Sequence, residues 1–255
     1  MNLETKLSRL FIYGIAIFPF FLLVGPLVSE LFLIFLIIYF FYFIIKENQF
    51  RFLNNRYLIF FGIFYLSVLF STILNFIDFN HTKGGLFYFR IPLYAFAIWF
   101  ILEKFNNFDK KIVFFYSVFL FILICDSLIQ YYFGKNLVGF ELKSGRVSSF
   151  FGEELILGSF ILRIIPIFMI YLTMSDLIND KKINYFYLII ISLACLVIYL
   201  SGERTSFGLL IIFFSTLFFM VKHLRKFITY IAILLITSAL ITSYLKTSSK
   251  IDPAN

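Results

Sequence analysis

Residues 10–45 read LFIYGIAIFPFFLLVGPLVSELFLIFLIIYFFYFII, an almost unbroken apolar block that decides how the chain crosses a membrane. A helix needs about 20 apolar residues to cross about 30 Å of hydrocarbon, so this block is too long for one ordinary span. Gly25-Pro26 and Ser29-Glu30 interrupt it near the middle. Because proline cannot continue an established helix, the interruption predicts a tight hairpin of two short spans.

The composition of the whole chain indicates a membrane protein. Of its 255 residues, 62% are hydrophobic and 14% charged, and the mean hydropathy is +0.97. A soluble domain of this length cannot bury so much apolar surface, so we predict an all-α polytopic membrane protein with a single transmembrane domain over residues 1–255. The net charge of +8 would suggest nucleic acid in a soluble protein. Here the basic residues flank spans in a lipid bilayer, and no nucleic-acid partner is expected.

Seven more apolar runs follow, at residues 57–77, 86–102, 112–133, 154–174, 185–200, 205–221 and 227–245. Together with the hairpin they predict about nine transmembrane helices. A cytoplasmic N-terminus places 13 of the 22 lysines and arginines on the inside, whereas a single span over residues 10–45 would divide them evenly. Because basic residues concentrate on the cytoplasmic side, the hairpin is favoured, and nine spans place the C-terminus outside.

The first polar segment occupies residues 145–154 and reads GRVSSFFGEE. It places Arg146, Glu153 and Glu154 at one predicted membrane face, and the apolar run after it carries Arg163 into the next span. A charged side chain at membrane depth costs at least about 2.5–3.5 kcal/mol, so such charges indicate a functional site.

The second polar segment occupies residues 201–206 and reads SGERTS, between two later apolar runs. We expect both polar segments to lie on the same side and to form one anion-binding site. The arginines on that side are Arg90, Arg146, Arg163 and Arg204. Guanidinium groups bind phosphate oxygens through two parallel hydrogen bonds and stay charged, which suits a lipid-anchored pyrophosphate. The alternative is that each arginine extends to the interface or pairs with a carboxylate.

The acid Asp126 lies inside a predicted span, seven residues before its end. At about 1.5 Å per residue it lies about 10 Å from the outer face, at a depth similar to that of Arg163. Neither charge is tolerable alone in hydrocarbon, so we predict a structural Asp126–Arg163 ion pair. Gln130, one helical turn beyond Asp126, is expected to join the same polar seam.

The candidate catalytic carboxylates are Glu153, Glu154 and Glu203. Glu153 and Glu154 open a predicted span, where a helix N-terminus favours negative charge, so one of them caps the helix and the other is left to act as a base or to hold a substrate hydroxyl. Glu203 beside Arg204 forms either an ion pair or an acid/base. The sequence contains no nucleotide-binding or metalloprotease motif, and no metal site or cofactor is expected.

The two polar segments resemble the O-antigen ligase and O-antigen polymerase family of bacterial inner-membrane enzymes. The resemblance rests on residues 145–159, with Arg163 and Pro166 after them, and on residues 200–206. The number of spans and the basic entry at Arg90 also fit, so the resemblance covers the chain loosely.

The resemblance implies an enzyme in the bacterial inner (plasma) membrane that takes a glycan from an undecaprenyl-pyrophosphate carrier at the periplasmic face. The acceptor would be a lipid A-core sugar, for a ligase, or another repeat unit, for a polymerase. Arginines hold the pyrophosphate leaving group in such enzymes. Arg146 and Arg204 match the family positions best, and Arg163 and Arg90 follow.

The chain departs from the family pattern in two ways. Gly152-Glu153 stands where many members have Pro-Asn, and Glu203 stands where they have a small residue. The family also continues into a large periplasmic loop with an essential histidine that activates the acceptor. The resemblance therefore implies that residues 1–255 are the N-terminal part of such a membrane domain, without its periplasmic catalytic loop.

Two other functions remain open at this point. A transporter or flippase for a lipid-linked or anionic solute would use the same arginines and Asp126 along a translocation path. Such a path should place polar residues in both halves of the membrane, whereas the inner halves of the predicted spans are almost free of charge. The third possibility is a noncatalytic component of a glycan-export complex.

Overall fold

The computed structural model describes residues 3–76, 79–104, 109–175 and 181–251, and within these ranges it is helical with no strand. The helices are α1 Leu3–Val24, α2 Pro26–Glu47, α3 Arg56–Leu74, α4 Phe79–Leu86, α5 Arg90–Lys104, α6 Asp109–Phe133, α7 Leu157–Met174, α8 Lys181–Leu200, α9 Arg204–Met220 and α10 Arg225–Ile251. Each predicted span corresponds to one of these helices.

Six described segments are long and apolar enough to cross a membrane. They are Pro26–Glu47, Arg56–Leu74, Thr82–Lys104, Lys110–Phe133, Leu157–Met174 and Lys222–Ile241. Three shorter apolar helices, Arg9–Val24, Tyr185–Leu200 and Arg204–Met220, match the remaining predicted spans. The prediction of an all-α chain is thus confirmed for the described residues, and these apolar helices are compatible with a multi-pass membrane protein. The chain end that was predicted to lie outside, residues 252–255, lies beyond the described residues.

The predicted break in the first apolar block is confirmed. Helix α1 ends at Val24, and Pro26 is the first residue of α2. Gly25 between them has φ 141° and ψ 168°, a backbone conformation that is open essentially to glycine alone. Proline suits the first helical position because its missing N–H would have no partner there.

The sequence places a span at 86–102, but the helical segment begins earlier. Helix α4 starts at Phe79 and leads through a 3-10 turn, Phe87–Phe89, into α5. The hydroxyl of Tyr65 on α3 donates to the Leu86 carbonyl at 2.7 Å. This contact satisfies a backbone acceptor at the end of α4, which residue periodicity alone does not reveal.

The first compact unit comprises residues 1–108. Its core lies between α1, α2 and α5, where Phe40, Ile44, Phe100 and Ile101 are almost completely buried. Helix α3 buries none of its described side chains and packs against α4.

The second compact unit comprises residues 109–255. Helix α8 is central to it and packs against α6, α7, α9 and α10. Its core includes Phe119, Phe168, Ile191 and Val197, all completely buried. Helices α6 and α8 end, and α7 and α9 begin, beside the two polar segments. The 134–156 loop and the 200–206 turn therefore lie at the same end of this unit.

Candidate functional site

The last two turns of α6 bury three polar side chains, Asp126, Ser127 and Gln130. Asp126 and Gln130 lie one turn apart, so both face the same side of α6. Buried polar groups require hydrogen-bond partners, and the loop that follows α6 supplies them.

Asp126 accepts three hydrogen bonds from this loop. The donors are the Asn136 amide at 3.2 Å, the Leu137 backbone N–H at 2.9 Å and the Ser149 hydroxyl at 2.5 Å. Asp126 is completely buried, so each of these donors replaces water that the carboxylate would otherwise bind. The residue therefore fixes both ends of the loop to α6.

Gln130 fixes the first polar segment directly. Its carbonyl oxygen accepts from the backbone N–H groups of Ser148 at 2.9 Å and Ser149 at 2.7 Å, and its amide donates to the Phe140 carbonyl at 3.2 Å. The expectation that Gln130 joins the polar seam of Asp126 is confirmed, since both side chains bind Ser149.

Asn136 organises the interior of the loop and was missed at the sequence level. Its carbonyl oxygen accepts from the N–H groups of Val138 and Phe140, while its amide donates to Asp126 and to the Ser149 carbonyl at 2.9 Å. Asparagine commonly makes such local bonds in turns. The sequence signal that could have identified it is Lys135-Asn136 placed between two glycines, Gly134 and Gly139, directly after an apolar helix.

Ser149 has an unusual backbone conformation, with φ 51°. A non-glycine residue in this region is strained, and such strain persists only where the surroundings fix it. Here Gln130 holds its N–H, Asp126 holds its hydroxyl, and Asn136 holds its carbonyl. These hydrogen bonds fix the backbone conformation of the first polar segment at Ser149.

The predicted ion pair between Asp126 and Arg163 is replaced by this network. Arg163 is exposed, and within the described residues it forms no salt bridge. The reason is the start of α7, which begins at Leu157 rather than at Glu154. Arg163 thus lies six residues into the helix, about 9 Å along its axis, and nearer the end of the unit than expected.

Arg146 joins the two polar segments. Its Nε donates to the Ser201 carbonyl at 2.8 Å, and the neighbouring Val147 N–H donates to the Leu200 carbonyl at 3.3 Å. Gly202 has φ 69°, and a Cβ there would lie 3.0 Å from the Arg146 side chain. The expectation that both segments lie together is confirmed.

Glu203 makes the second connection between the segments. Its carboxylate accepts from the N–H groups of Gly158 at 2.7 Å and Ser159 at 3.0 Å, in the first turn of α7. The Ser206 hydroxyl also donates to it at 2.8 Å. Gly158 has no room for a side chain, because a Cβ would collide with the Ser201 hydroxyl oxygen. Glu203 therefore caps α7 from a distant part of the chain.

Glu153 and Glu154, expected to open the helix, precede it and are exposed. Glu153 pairs with Lys143 at 2.7 Å, and this hydrogen bond and charge lower the pKa of Glu153 below its ordinary value. Lys135 lowers the pKa of Glu141 in the same way, at 2.9 Å. Glu154 forms no salt bridge with a described residue. The predicted capping role thus falls to Glu203.

Arg204 is the first residue of α9 and is exposed. Arg146 is half-buried, and its Nε donates to the Ser201 carbonyl. Its two terminal nitrogens form no hydrogen bond with a described residue. Neither arginine forms a salt bridge with any carboxylate in the part of the chain that the structure describes. Arg146 contacts the 200–206 turn and Arg204 follows Glu203 within it, so the two guanidinium groups make this end of the unit suited to bind an anion.

Arg90 belongs to the first unit and has a different environment. Its guanidinium lies 3.3 Å from Glu30, and the Tyr94 hydroxyl donates to the same carboxylate at 2.9 Å. The Glu30 carboxylate offsets part of the positive electrostatic potential of Arg90. Arg90 is therefore a weaker candidate for binding an anion than Arg146 or Arg204.

Among the described residues, no group of three or more His, Cys, Asp or Glu side chains is arranged to hold a metal ion. The two cysteines, Cys125 and Cys195, are free.

Comparisons with protein-family models, with curated proteins and with solved structures found no match for this chain.

Proposed function

We propose that this chain is a membrane glycosyltransferase of the O-antigen ligase or polymerase type. It transfers a glycan from an undecaprenyl-pyrophosphate carrier at the periplasmic face to a lipid A-core or glycan acceptor. The observation that carries the proposal is the bond from Arg146 to the Ser201 carbonyl, which brings Arg146 to the turn that leads into Arg204.

The two arginines suit the leaving group of this reaction. Cleavage of the glycosyl–phosphate bond leaves additional negative charge on the pyrophosphate, and fixed guanidinium groups stabilise charge as it develops. Arg146 is held by a neutral carbonyl, so its charge remains to attract the pyrophosphate. Arg163 is a further cation on α7 at the same end of the unit.

The three candidate carboxylates have different roles in this proposal. Glu203 already accepts three hydrogen bonds, so it positions α7 beside Arg204. Glu153 is paired with Lys143. Glu154 has no such partner among the described residues, and we assign it the contact with an acceptor hydroxyl.

The proposed topology has nine transmembrane helices, a cytoplasmic N-terminus and a periplasmic C-terminus, in a bacterial inner membrane. The distribution of basic residues supports it. A reporter active only in the periplasm, fused after Leu137, should be active, and the same reporter fused after Lys181 should be silent. The reverse pattern would contradict the topology.

A turnover assay tests the activity. The full-length protein, purified in lipid nanodiscs with an undecaprenyl-pyrophosphate-linked oligosaccharide and a glycan acceptor, should release undecaprenyl pyrophosphate. Arg146→Ala and Arg204→Ala should each abolish release while leaving the amount of inserted protein unchanged. Lys135→Gln is the matched control, because it removes an exposed cation of the same loop that is already paired with Glu141.

The same protein in closed vesicles distinguishes the transporter alternative. A transporter would move a fluorescent lipid-linked glycan across the bilayer without releasing its carrier. Movement without release, lost in Arg146→Ala, would replace the enzyme proposal. Normal release by either arginine variant would remove that residue from the site.

A further inference from the structure

Two apolar grooves flank α9 in the second unit. The first lies between α9 and α10 and has a volume of about 320 Å³. Its α9 wall runs from Phe207 to Phe219, and its α10 wall includes Ile228, Ile231 and Leu235. Twelve residues of helix span about 18 Å, which is close to the roughly 15 Å of hydrocarbon in one bilayer leaflet.

The second groove lies on the other side of α9, against α7, and has a volume of about 300 Å³. Pro166 and Thr173 mark the extent of its α7 wall, and Phe213 and Leu217 form part of its α9 wall. Val221, His223 and Leu224 close it at the end opposite the two polar segments. Both grooves therefore reach the turn between α9 and α10.

This turn carries a compact cluster of basic residues: Lys222, His223, Arg225 and Lys226. Arg225 is fixed in place, since its Nε donates to the Phe218 carbonyl at 2.9 Å and its guanidinium lies over the Phe218 ring. Phe218 lines the first groove, so a cation stands directly at the groove's end. Lys222 and Lys226 are exposed beside it.

Within the part of the chain that the structure describes, helices α7, α8, α9 and α10 contain no aspartate or glutamate. Glu203 lies at the opposite end of the unit. Membrane topology would explain basic residues in this turn. It does not explain the two apolar grooves that end beside them.

We propose that this end of the unit binds one two-chain anionic phospholipid. One acyl chain lies in each groove, so that the lipid straddles α9, and the phosphate contacts Lys222, Arg225 and Lys226. Each lysine or arginine near a membrane surface contributes about 1 kcal/mol of attraction to an anionic lipid, about a five-fold gain in affinity. The grooves supply the apolar area that holds the chains.

The experiment measures lipid binding by the purified, delipidated full chain. Native mass spectrometry in detergent would compare phosphatidylglycerol with phosphatidylcholine of the same acyl chains. Phosphatidylglycerol should bind at least ten-fold more tightly. Lys222→Gln/Lys226→Gln should remove this preference by weakening phosphatidylglycerol binding roughly ten- to thirty-fold. Lys110→Gln, which removes a cation at the start of α6, should leave it unchanged.

A second pair of variants tests the groove. Ala232 is exposed and lines the first groove, so Ala232→Trp fills it without changing charge. Ile233→Trp adds the same bulk at an exposed neighbour outside the groove lining. Ala232→Trp should lower the binding of phosphatidylglycerol about ten-fold, and Ile233→Trp should not.

Equal binding of the two lipids would overturn the proposal, as would full binding by the double lysine variant. Loss of binding in the lysine variant with normal binding in Ala232→Trp would also overturn it, because the lipid would then be held at the surface and not in the groove. None of these results depends on the glycan-transfer activity.

Discussion

The two units hold their charged side chains in different ways. In residues 1–108 three basic groups pair with carboxylates: Arg90 with Glu30, Arg51 with Glu103 and Lys104 with Glu47. In residues 109–255 the loop lysines are paired too, but Arg146 is held by a backbone carbonyl and Glu203 by backbone N–H groups. Backbone dipoles orient these charges without cancelling them.

This difference indicates which arginines remain available to a ligand. In a salt bridge the two opposite charges sum to zero, so the pair attracts an anion only weakly. A carbonyl occupies one guanidinium nitrogen and leaves the net positive charge in place. Glu203 binds the N–H groups at the start of α7 and forms no salt bridge with its neighbour Arg204. The availability of charge thus follows from how each group is anchored.

The largest effect is expected from removing the buried carboxylate. Asp126→Leu leaves three donors without an acceptor in a dry site and should destabilise the chain by about 3–5 kcal/mol, since each unpaired buried donor costs about 1–3 kcal/mol. Glu30→Leu, at the half-exposed carboxylate of the first unit, should cost only about 1 kcal/mol. Thermal unfolding in detergent measures both. Similar losses in the two variants would contradict the contrast between the units.

The next effect concerns the carboxylate that caps α7. Glu203→Gln keeps the size but leaves one oxygen to serve the Gly158 and Ser159 N–H groups, so it should lower stability by about 1–2 kcal/mol. Glu154→Gln is the matched control and should stay within about 0.5 kcal/mol, because Glu154 is exposed. If both variants unfold at the wild-type temperature, Glu203 does not anchor the helix.

Three glycines separate backbone strain from the contact between segments. Gly202→Ala combines a positive φ with a clash against Arg146 and should cost about 2 kcal/mol. Gly134→Ala has a positive φ but open space, and should cost about 1 kcal/mol. Gly208→Ala, in open space within α9, should be neutral or slightly stabilising. Equal losses at Gly202 and Gly134 would indicate that Arg146 does not press on the turn.

The smallest effect is a pH dependence of the loop pairs. Lys143 lowers the pKa of Glu153 below 4.5, so the pair stabilises the folded chain above that pH and loses its contribution as the pH falls through the lowered pKa. The difference in unfolding temperature between the wild type and Lys143→Gln should therefore be largest above pH 4.5 and shrink below it. A difference that stays constant across this range would rule out the Lys143–Glu153 pair as its source.

Much of the helical framework could be predicted from local sequence. Gly25-Pro26 identified the hairpin because both residues act on the backbone at their own positions. Gln130 could be placed beside Asp126 because helix periodicity alone brings them to one side. The meeting of the two polar segments followed from their predicted common side of the membrane.

The partners of the charged groups could not be predicted in the same way. Glu153 and Glu154 are adjacent to the start of α7, yet Glu203, far along the chain, caps it. Asp126 is at a membrane depth that suggested a cation, but neutral donors of a folded-back loop satisfy it. Both outcomes depend on tertiary contacts that leave no periodic signal in the sequence.

Binding of undecaprenyl pyrophosphate to the chain in nanodiscs tests the central claim most directly, namely that Arg146 and Arg204 form one site for a lipid-linked pyrophosphate. Each single alanine substitution should weaken binding about ten- to hundred-fold, because hydrogen bonds to charged groups contribute about 1.5–3 kcal/mol. The double variant should weaken it by less than the product, since both side chains would contact one anion. Arg90→Ala, at the paired arginine, should bind nearly as the wild type does. Wild-type affinity in Arg146→Ala and Arg204→Ala would contradict the account.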